Sequence, residues 1–521
     1  MIRTLLHVLA LLCLFGTASA QNELEARLDA VREFKTYMKK LKEEAQQVEA
    51  VMTLQGNECP QAAEELLKQL KHKSPAVQKA ALDVLQTYRD PATFQAWLDE
   101  LPELRDNDQI ATLVMILGQS QVQQAVPAIE AVAADPKAAT TVKYEAVRAL
   151  RRIGDPGQQG LIGRFLGDDD GAVRMAAADA VAALKLRDYT EQVIALLEDS
   201  EWQVQSAAIT ACGQLRPQAA IQPLITLMRQ EGRLQIECAD ALFLLFTVDF
   251  GVDPDRWQGH WDNLSKIPGW RIPTDEEVAK AKASRKKYDE LYGKTEGRNK
   301  FAGIPTTSTN VLFIIDQSGS MEDLVVEVEK FEGYRDRKRF TIVQTELINT
   351  IDGLTADTNF DIVAFASDLK VWKKRLVPAN IVNRESAKSW VGRLQPLGGS
   401  ESQELAMAGL GGAANLAAGK TNTLKALMYP FGIDPANPPK AAQTGPGKTA
   451  MKSKLDTVYF LSDGRPSTGV LVDTNEILKE VRRYNEVYRI VIHTIAIGDF
   501  QKEFLRDLAR DNGGEFIDMG R

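Results

Sequence analysis

Apolar residues between positions 60 and 249 recur at the spacing of a single helical face. From Val142 they follow at offsets of 4, 7, 8 and 11 residues, and a second helical pattern comes after each such segment. Pairs of helices repeated at a period of about thirty residues stack and bury each other's apolar faces. The pattern predicts an α-solenoid of about six helical pairs. Their first helices begin near Val77, Ile110, Val142, Val173, Val204 and Gln235.

The segment before the repeats has the composition of a long helix. Residues 22–55 are rich in Glu, Lys, Gln and Ala, which favour helix. Apolar residues from Val31 to Met52 step by alternating threes and fours, the spacing of a seam between packed helices. We therefore expect one helix in an N-terminal region 21–59, packed on its own protein or against a second copy of the chain.

Three tryptophans, Trp257, Trp261 and Trp270, distinguish the region 250–307 from the repeats. The last repeat of a solenoid leaves an apolar face that has to be covered. We expect these rings to cover it, and a ligand site is the alternative. A charged helical pattern follows, and the polar stretch 293–300 is the predicted linker.

From about Ser308 to the C-terminus, short apolar runs alternate with helical patterns. Continuous apolar runs are typical of strands buried on both faces of a parallel sheet. Strands that alternate with helices indicate an α/β fold. The sequence therefore predicts a multidomain protein in which the α-solenoid precedes a doubly wound, mostly parallel sheet over 308–521. The predicted strands are 311–315, 360–366, 457–461 and 490–497, with helices over 340–351 and 474–484.

Acidic turns follow two of these predicted strands. Asp316, Ser318 and Ser320 come after the first strand, and Asp463 comes after the strand 457–461. Ligands of doubly wound sheets lie beyond the carboxyl ends of the strands, so these oxygens should converge. Such donors suit Mg²⁺, with Ca²⁺ or Mn²⁺ as the alternatives. The competing interpretation is that the Asp and Ser residues only cap the next helix.

The stretches Val311–Met321 and Phe460–Pro466, which carry these turns, resemble the two main motifs of von Willebrand factor A domains. The motifs match in order and in strand context, and the resemblance covers residues 308–521. It implies a metal-ion-dependent adhesion site with Ser318 and Ser320 as direct ligands and the two aspartates acting largely through bound waters. It also implies a threonine from a third loop and a partner carboxylate at the open position of the metal.

The third loop departs from the family pattern, which has Gly-Gly-Thr soon after a Leu-x-Pro turn. Here the turn ends at Pro396 and leads to Gly398, Gly399 and Ser400, while Thr421 follows only after a Gly/Ala-rich stretch. Both hydroxyl residues precede a helical pattern. We expect Thr421 to be the third-loop ligand, with Ser400 as the alternative.

The repeats over 60–249 resemble HEAT-type repeats. Small alanines occupy the helix contacts, and the turns are rich in aspartate, as in the stretch 167–170. The resemblance implies an extended surface on which a second contact with a partner can form.

The first twenty residues are typical of a cleaved export signal. Arg3 precedes an apolar run over 5–15, and small residues ending at Ala20 predict a mature chain that starts near Gln21. The run is shorter than the roughly twenty apolar residues that span a bilayer, and no later segment is long enough. We expect an exported protein, periplasmic, cell-surface or secreted, without a transmembrane anchor.

The charge of the chain limits the classes of partner that it can bind, and its cysteine content limits the disulfide bonds that it can form. The net charge is −8 and no wide basic cluster is present, which argues against nucleic acid. The one dense basic run, 335–339, is interpreted as a solvated loop. The three cysteines after the signal, Cys59, Cys212 and Cys238, are too few for a disulfide framework, and the last two are expected to be buried thiols.

The leading hypothesis is an exported, non-catalytic adhesion or assembly protein. Its metal would hold an acidic side chain of a protein partner, while the repeats offer a second surface. In the first alternative the repeats alone bind the partner and the metal only stabilises its domain. The second alternative, a metal-dependent hydrolase, needs a general base. Because His72, His260 and His493 join no metal-ligand or catalytic motif, we expect no enzyme.

Two insertions are expected to flank the metal and to decide which partner binds. Segment 323–338 follows the Asp316 turn, and segment 397–420 precedes Thr421, so both attach at the carboxyl edge of the sheet. The alternative is that they are merely tolerated, because surface insertions cost little closure entropy. Segment 434–454 is expected at the opposite edge, as a flexible loop without a direct role.

Overall fold

Two compact units make up the described part of the chain. In this computed structural model the first unit ends at Leu184 and the second begins at Lys185. The expected export signal, residues 1–20, and Ser400 lie outside the described residues. None of the described helices is long and apolar enough to cross a membrane. The structure describes residues 22–154, 159–292, 299–301, 304–325, 331–398, 419–438, 448–463, 465–498 and 502–519.

The first unit consists of helices joined by short turns. Two of them begin with a proline that follows Ser or Asp: Ser74 Oγ accepts from Val77 N at 3.3 Å, and Asp90 Oδ2 accepts from Thr93 N at 2.9 Å. Such caps give partners to amide groups that the helix itself leaves unpaired. In chain order the helices are α1 (22–38), α2 (Glu44–Met52), α3 (Pro60–Gln69), α4 (Pro75–Thr87), α5 (Pro91–Glu100), α6 (Asn107–Gln119), α7 (Val126–Ala134), α8 (Thr140–Ile153), α9 (Gln159–Phe165) and α10 (Gly171–Leu184).

The prediction of one continuous N-terminal helix is wrong, because the chain turns at residues 39–43 between α1 and α2. No glycine or proline marks this break. Instead, Gln47 Nε2 donates to Leu41 O at 3.0 Å, which gives that carbonyl a partner outside a continuous helix. Val31 and Phe34 are each only 4% exposed. The apolar side of α1 is therefore buried within its own protein.

The predicted repeat pattern is confirmed in the first unit. The residues expected on one face of α8, from Val142 to Ile153, are buried. Helices α6 and α8 approach closely where Gly118 faces Ala149, because a methyl group at position 118 would lie 2.5 Å from Ala149 Cα. Small residues at such crossings let neighbouring repeats pack without voids.

The second unit opens with the last repeats and their covering segment. The helices that begin near Val204 and Gln235 are present, and the offsets predicted from Val204 fall on buried residues. The elements are α11 (Thr190–Ala195), α12 (Trp202–Leu215), α13 (Ile221–Met228), α14 (Leu234–Phe246), α15 (Pro254–Leu264) and α16 (Asp275–Tyr292).

Aromatic rings gather around Phe246 at the end of α14. The Trp257 ring is fully buried, lies 5.9 Å from the Phe246 ring and donates its Nε1–H to Gly251 O at 2.7 Å. The Trp270 ring lies 5.8 Å from Phe246 and 5.4 Å from the Trp261 ring. The three tryptophans thus pack on the last repeat helix and on each other.

The remainder of the second unit is an α/β domain. The strands are β1 (Asn299–Phe301), β2 (Ile304–Thr306), β3 (Asn310–Asp316), β4 (Asn359–Phe365), β5 (Leu369–Val371), β6 (Val377–Pro378), β7 (Thr457–Ser462), β8 (Val491–Ala496) and β9 (Phe516–Asp518). The helices are α17 (Arg339–Gly353), α18 (Ile381–Val391), α19 (Thr423–Met428), α20 (Lys448–Met451), α21 (Thr474–Tyr488) and α22 (Lys502–Asp511).

The main sheet has the order β5-β4-β3-β7-β8-β9. Strand β3 is central and runs parallel to β4 and β7, and β8 and β9 continue the parallel arrangement. The four predicted strands and both predicted helices are confirmed. The sequence did not predict β5 and β6, which pair antiparallel with β4, or the short β9.

Both faces of this sheet are covered, which explains its continuous apolar runs. Successive side chains of a strand point to opposite faces. Along β3, Val311, Phe313 and Ile315 join a core with α17 and α18, while Leu312 and Ile314 join a core with α19, α21 and α22. The centre of the sheet is therefore buried on both faces along β3.

The last repeats contact the α/β domain within the second unit, at the segment that precedes β7. Trp202 Nε1 donates to Ser453 O at 3.0 Å, and Gln203 Nε2 donates to Ala450 O at 3.2 Å. The two compact units divide between Leu184 and Lys185, and the expected domain bounds at 249/250 and 307/308 stay a prediction. Residues 448–454, expected to lack a direct role, supply both acceptor carbonyls, and residues 439–447 lie outside the described part.

Candidate metal centre

The carboxyl ends of β3 and β7 lie side by side at the centre of the sheet. The chain continues from β3 to β4 on one side, while β7 pairs with β3 on the other, so the strand order reverses at β3. Such a reversal opens a crevice, because the connections after the two strands diverge. Asp316 ends β3 and Asp463 directly follows β7. The topology therefore brings both predicted carboxylates to this crevice.

Asp316 is held through both of its carboxylate oxygens. Oδ1 accepts from Ser318 N at 2.8 Å, and Oδ2 accepts from Ser462 Oγ at 2.6 Å. The side chain is fully buried. These two bonds fix the carboxylate and tie the end of β3 to the end of β7. The sequence did not identify Ser462 as a site residue.

A chain of hydroxyl groups connects the two acidic turns. Ser318 Oγ lies 3.3 Å from Ser320 Oγ, and Ser320 Oγ lies 2.9 Å from Asp463 Oδ1, to which it donates. Ser318 and Asp463 are each 1% exposed. The structure thus brings together four of the five predicted side chains, those of Asp316, Ser318, Ser320 and Asp463.

Thr421 reaches the same edge of the sheet through its backbone. Thr421 N donates to Ser467 Oγ at 2.8 Å, and Thr421 O accepts from Ser467 N at 2.9 Å, on the loop that follows Asp463. Asn422 N donates to Ala366 O, directly after β4. Within the described residues the Thr421 hydroxyl makes no hydrogen bond to the other four side chains. Because Ser400 lies outside them, the choice between Thr421 and Ser400 stays a prediction.

Arg339 lies inside the site, although its basic sequence context predicted a position in solvent. The interpretation of residues 335–339 as a solvated loop is wrong at Arg339, which is only 6% exposed. Its Nη1 donates to Asp463 Oδ2 at 2.7 Å. The two residues are 124 positions apart, so no local pattern could have shown the pairing. Arg335 is exposed, as expected.

Gln317 is a second buried residue beside the site that was not predicted from the sequence. It is fully buried, and its side-chain Oε1 and Nε2 have no hydrogen-bond partner within the described part of the chain. Its backbone is tied on both sides, because Gln317 N donates to Phe365 O and Gln317 O accepts from Leu397 N, each at 2.8 Å. The Asp316 turn is thus joined to β4 and to the start of the second insertion.

Both insertions attach at this edge of the sheet. The first, 323–338, closes at its base through an antiparallel bridge between Leu324 and Lys338. The described ends of the second, Leu397 and Gly419, meet so closely that a side chain at Gly419 would overlap the Leu397 carbonyl. Residues 326–330 and 399–418 lie outside the described residues.

Known proteins are similar to parts of this chain. HEAT repeats match residues 158–242. Inter-alpha-trypsin inhibitor heavy chain H1 of Mesocricetus auratus is 27% identical over 213 residues, which cover 40% of this chain and 18% of that protein. Heavy chain H4 of Homo sapiens is 26% identical over 215 residues, which cover 41% of this chain and 18% of that protein. The match therefore spans less than a fifth of either heavy chain.

A solved von Willebrand factor type A structure from Catenulispora acidiphila covers 41% of this chain and 39% of that chain, at 21% identity and a TM-score of 0.26. In this chain, the two motifs end neighbouring parallel strands and their side chains are joined by hydrogen bonds. Residues 158–242 are therefore similar to HEAT repeats, and the α/β domain has the strand ends and acidic turns on which its resemblance to von Willebrand factor A domains rests.

Two carboxylates share the buried site of the α/β domain. Burial raises the pKa of Asp316, and the nearby charge of Asp463 raises it further. Burial also raises the pKa of Asp463, although the Arg339 guanidinium opposes this effect. Two like charges removed from water destabilise each other, so an additional cation would relieve the site.

The residues of this site fit a hard divalent cation. All of the predicted donors are oxygens: two carboxylates, the hydroxyls of Ser318 and Ser320, and that of Thr421 or Ser400. Oxygen donors are the ligands that Mg²⁺ prefers. Neighbouring ligands in octahedral Mg²⁺ coordination lie about 3.0 Å apart, because each metal–oxygen distance is about 2.0–2.1 Å. The 3.3 Å separation of the two serine hydroxyls is close to this value. The described residues contain no cluster of three or more His, Cys, Asp and Glu side chains that could hold a metal.

The three histidines of the described chain lie in structural positions. His493 is buried in β8, stacks on Tyr459 at 4.8 Å and accepts from Glu515 N. His260 packs between aromatic rings of the Trp-rich segment. His72 Nδ1 accepts from Ser74 N. These contacts connect none of them to the Asp316 site.

Proposed function

We propose that this protein is an exported, non-catalytic binding protein whose von Willebrand factor A domain holds Mg²⁺, with Ca²⁺ or Mn²⁺ as substitutes. Ser318, Ser320 and Thr421 would contact the ion or its waters, and Asp316 and Asp463 would balance its charge. The open position of the ion would take a carboxylate from a protein partner. The HEAT-like repeats would form a second contact surface.

One observation carries this proposal: the hydrogen-bonded set of Asp316, Ser318, Ser320 and Asp463 at the switch point of the sheet. Residues from two loops far apart in sequence meet there in one hydrogen-bonded group. A site that only capped a helix would not need the second carboxylate, because one Asp or Ser side chain suffices for a cap.

The chain's own residues prepare the site in three ways. Ser318 N and Ser462 Oγ both donate hydrogen bonds to the Asp316 carboxylate, which fixes its orientation before a cation binds. Burial excludes water, which strengthens every charge interaction at the site. The loop bonded to Thr421 brings a third oxygen to the same edge. A bound cation would supply the electrostatic attraction for an incoming carboxylate.

Calorimetric titration of the purified chain with Mg²⁺ tests the metal. We expect binding by the wild type, loss of binding in Asp316→Ala and wild-type binding in Asp352→Ala, which removes an exposed carboxylate at the other end of α17. Because a ligand of the native state stabilises that state, Mg²⁺ should also raise the Tm of the wild type. Absence of heat and of a Tm shift at millimolar Mg²⁺ would refute the metal site.

Partner capture separates this function from the scaffold alternative. Extract of exported proteins is passed over the wild-type chain with Mg²⁺, with EDTA, and over Asp316→Ala with Mg²⁺. We expect a partner only in the first case. If the same partner is retained in all three cases, while the chain stays folded, the repeats bind it and the metal has at most a structural role.

The proposed export rests on the layout of residues 1–20, which lie outside the described residues. N-terminal sequencing of the protein from its natural host should find a chain that starts near Gln21. A chain that retains Arg3 would contradict export by a cleaved signal.

A further inference from the structure

Arg339 is a fixed cation at the candidate metal centre. It is the first residue of α17 and is 6% exposed, and its Nη1 lies 2.7 Å from Asp463 Oδ2. Asp463 uses its other oxygen, Oδ1, to accept from Ser320 Oγ. The same carboxylate is therefore shared between a hydroxyl of the metal set and the guanidinium.

The surroundings of Arg339 keep this charge in place. Its backbone N donates to Asp323 O at 3.0 Å, which fixes the start of α17. A Cβ atom at Gly498 would lie 3.3 Å from Arg339 Cζ, so the backbone at 498 runs directly against the guanidinium. Asp323 is the other described carboxylate paired with it, at 3.6 Å, and its side chain is 56% exposed. Arginine stays protonated at every physiological pH, so the charge is permanent.

Three of the buried side chains at this centre carry charge: Asp316, Asp463 and Arg339. Asp323 is left out of the count because its side chain is exposed, so water and salt screen its charge. Asp316 and Asp463 contribute −2 when ionised and Arg339 contributes +1, which leaves −1. A divalent cation converts this to +1, whereas the same site without the arginine charge would go from −2 to 0. Arg339 thus weakens the attraction for the metal, but it leaves the loaded centre positive.

We propose that Arg339 is a specificity-determining residue that lowers the affinity of the site for the metal and raises the affinity of the loaded metal for a carboxylate. This inference rests on the proposed function. The loaded centre gains an anionic partner because its net charge is +1, and a neutral centre would lose most of that long-range attraction. The partner chemistry it favours is a carboxylate rather than a neutral oxygen ligand such as an amide.

A purely structural ion pair makes a different prediction. A buried pair that loses one partner leaves an uncompensated charge and destabilises the fold. That effect would weaken metal and carboxylate binding together, or neither. Opposite shifts of the two affinities are the signature of a charge-setting role.

The experiment uses the full chain with Arg339→Gln, Arg339→Met and Arg339→Lys. Mg²⁺ affinity is measured by calorimetry. Carboxylate affinity is measured with acetate on the Mn²⁺-loaded chain, by the paramagnetic relaxation of the acetate methyl protons, with acetamide as the neutral control. Circular dichroism and Tm with Mg²⁺ identify the variants that fold.

We expect the neutral variants to bind Mg²⁺ at least about tenfold more tightly and acetate at least about tenfold more weakly than the wild type, because one unit charge close to the ion is removed. Arg339→Lys should stay near the wild type in both, and acetamide binding should not change. Shifts in the same direction, no shifts, or failure of both neutral variants to fold would overturn the role of Arg339. If the wild type binds neither Mg²⁺ nor Mn²⁺, the proposed metal function itself fails.

Discussion

The Ser462 hydroxyl donates a 2.6 Å hydrogen bond to Oδ2 of Asp316, a residue 146 positions earlier in the chain. This bond joins the carboxyl ends of β3 and β7, and both side chains are buried. It therefore contributes to the sheet and to the site at once, since it fixes the carboxylate at the point where the strand order reverses.

Ser462→Ala should lower the free energy of unfolding in metal-free buffer by about 1–3 kcal/mol, because a buried carboxylate oxygen loses its donor. Urea denaturation measures this change. The control is Ser389→Ala, which alters an exposed serine on α18 and should cost less than about 0.5 kcal/mol. Equal stabilities of the two variants would show that the Ser462 bond contributes nothing net.

The third-loop ligand is tested by a pair of hydroxyl deletions. Thr421→Ala should weaken Mg²⁺ binding, because Thr421 is 4% exposed and its loop is bonded to the segment after Asp463. Ser400→Ala should leave the affinity near that of the wild type. Calorimetry with both variants decides the matter, and the reverse ranking would assign the ligand to Ser400.

Two loops border the site: the first insertion, 323–338, and the loop that follows Asp463. We expect exposed apolar side chains on these two loops to contact the partner. Leu324, in the first insertion, is 57% exposed, and Val470, shortly after Asp463, is 58% exposed. Gly469, next to Val470, lies against the Asn422 side chain, which places this loop beside Thr421. Exposed apolar residues close to a charged centre are typical of binding surfaces.

Leu324→Ser and Val470→Ser should therefore weaken capture of the Mg²⁺-dependent partner by about 1 kcal/mol or more each, while Mg²⁺ affinity stays unchanged. Val382→Ser is the matched control: Val382 is 72% exposed on α18, which follows β6 at the amino-terminal end of β4. Capture that is as strong as with the wild type in both loop variants would move specificity to the repeats.

The contact of the repeats with the sheet domain gives a stability prediction. Trp202 Nε1 donates to Ser453 O, and the Arg233 guanidinium lies 4.9 Å from the Trp202 ring. Trp202→Phe keeps an aromatic ring but removes the donor, and should cost about 1–2 kcal/mol. Trp202→Ala also removes the ring and should cost about 3 kcal/mol or more.

Thermal and urea unfolding of the two variants measure these costs. The separation between them reports the packing of the ring, since both lack the hydrogen bond. If Trp202→Ala were no less stable than Trp202→Phe, the ring would contribute only its donor, and the predicted order of the two would be wrong.

The sequence by itself determined the architecture and most of the candidate site. A helical period of about thirty residues specifies stacked helix pairs, because each pair needs its neighbour to bury its apolar face. Continuous apolar runs specify strands covered on both sides, as β3 and β7 are. The Asp316 and Asp463 turns follow those strands, and carboxyl ends of parallel strands share one edge of the sheet. Local pattern and general topology were sufficient for these residues.

The tertiary structure alone decided the break between α1 and α2, the antiparallel strands β5 and β6, and the positions of Ser462 and Arg339. The break contains no glycine or proline and depends on contacts such as that of Gln47 with Leu41. The short strands β5 and β6 form by pairing with β4. Arg339 is the last residue of a basic run, a pattern that favours exposure to solvent. It is nevertheless buried, because it pairs with Asp463, which lies 124 positions later in the chain. A pattern reports what a residue's neighbours in sequence favour, whereas burial and charge pairing depend on residues that only the folded chain brings together.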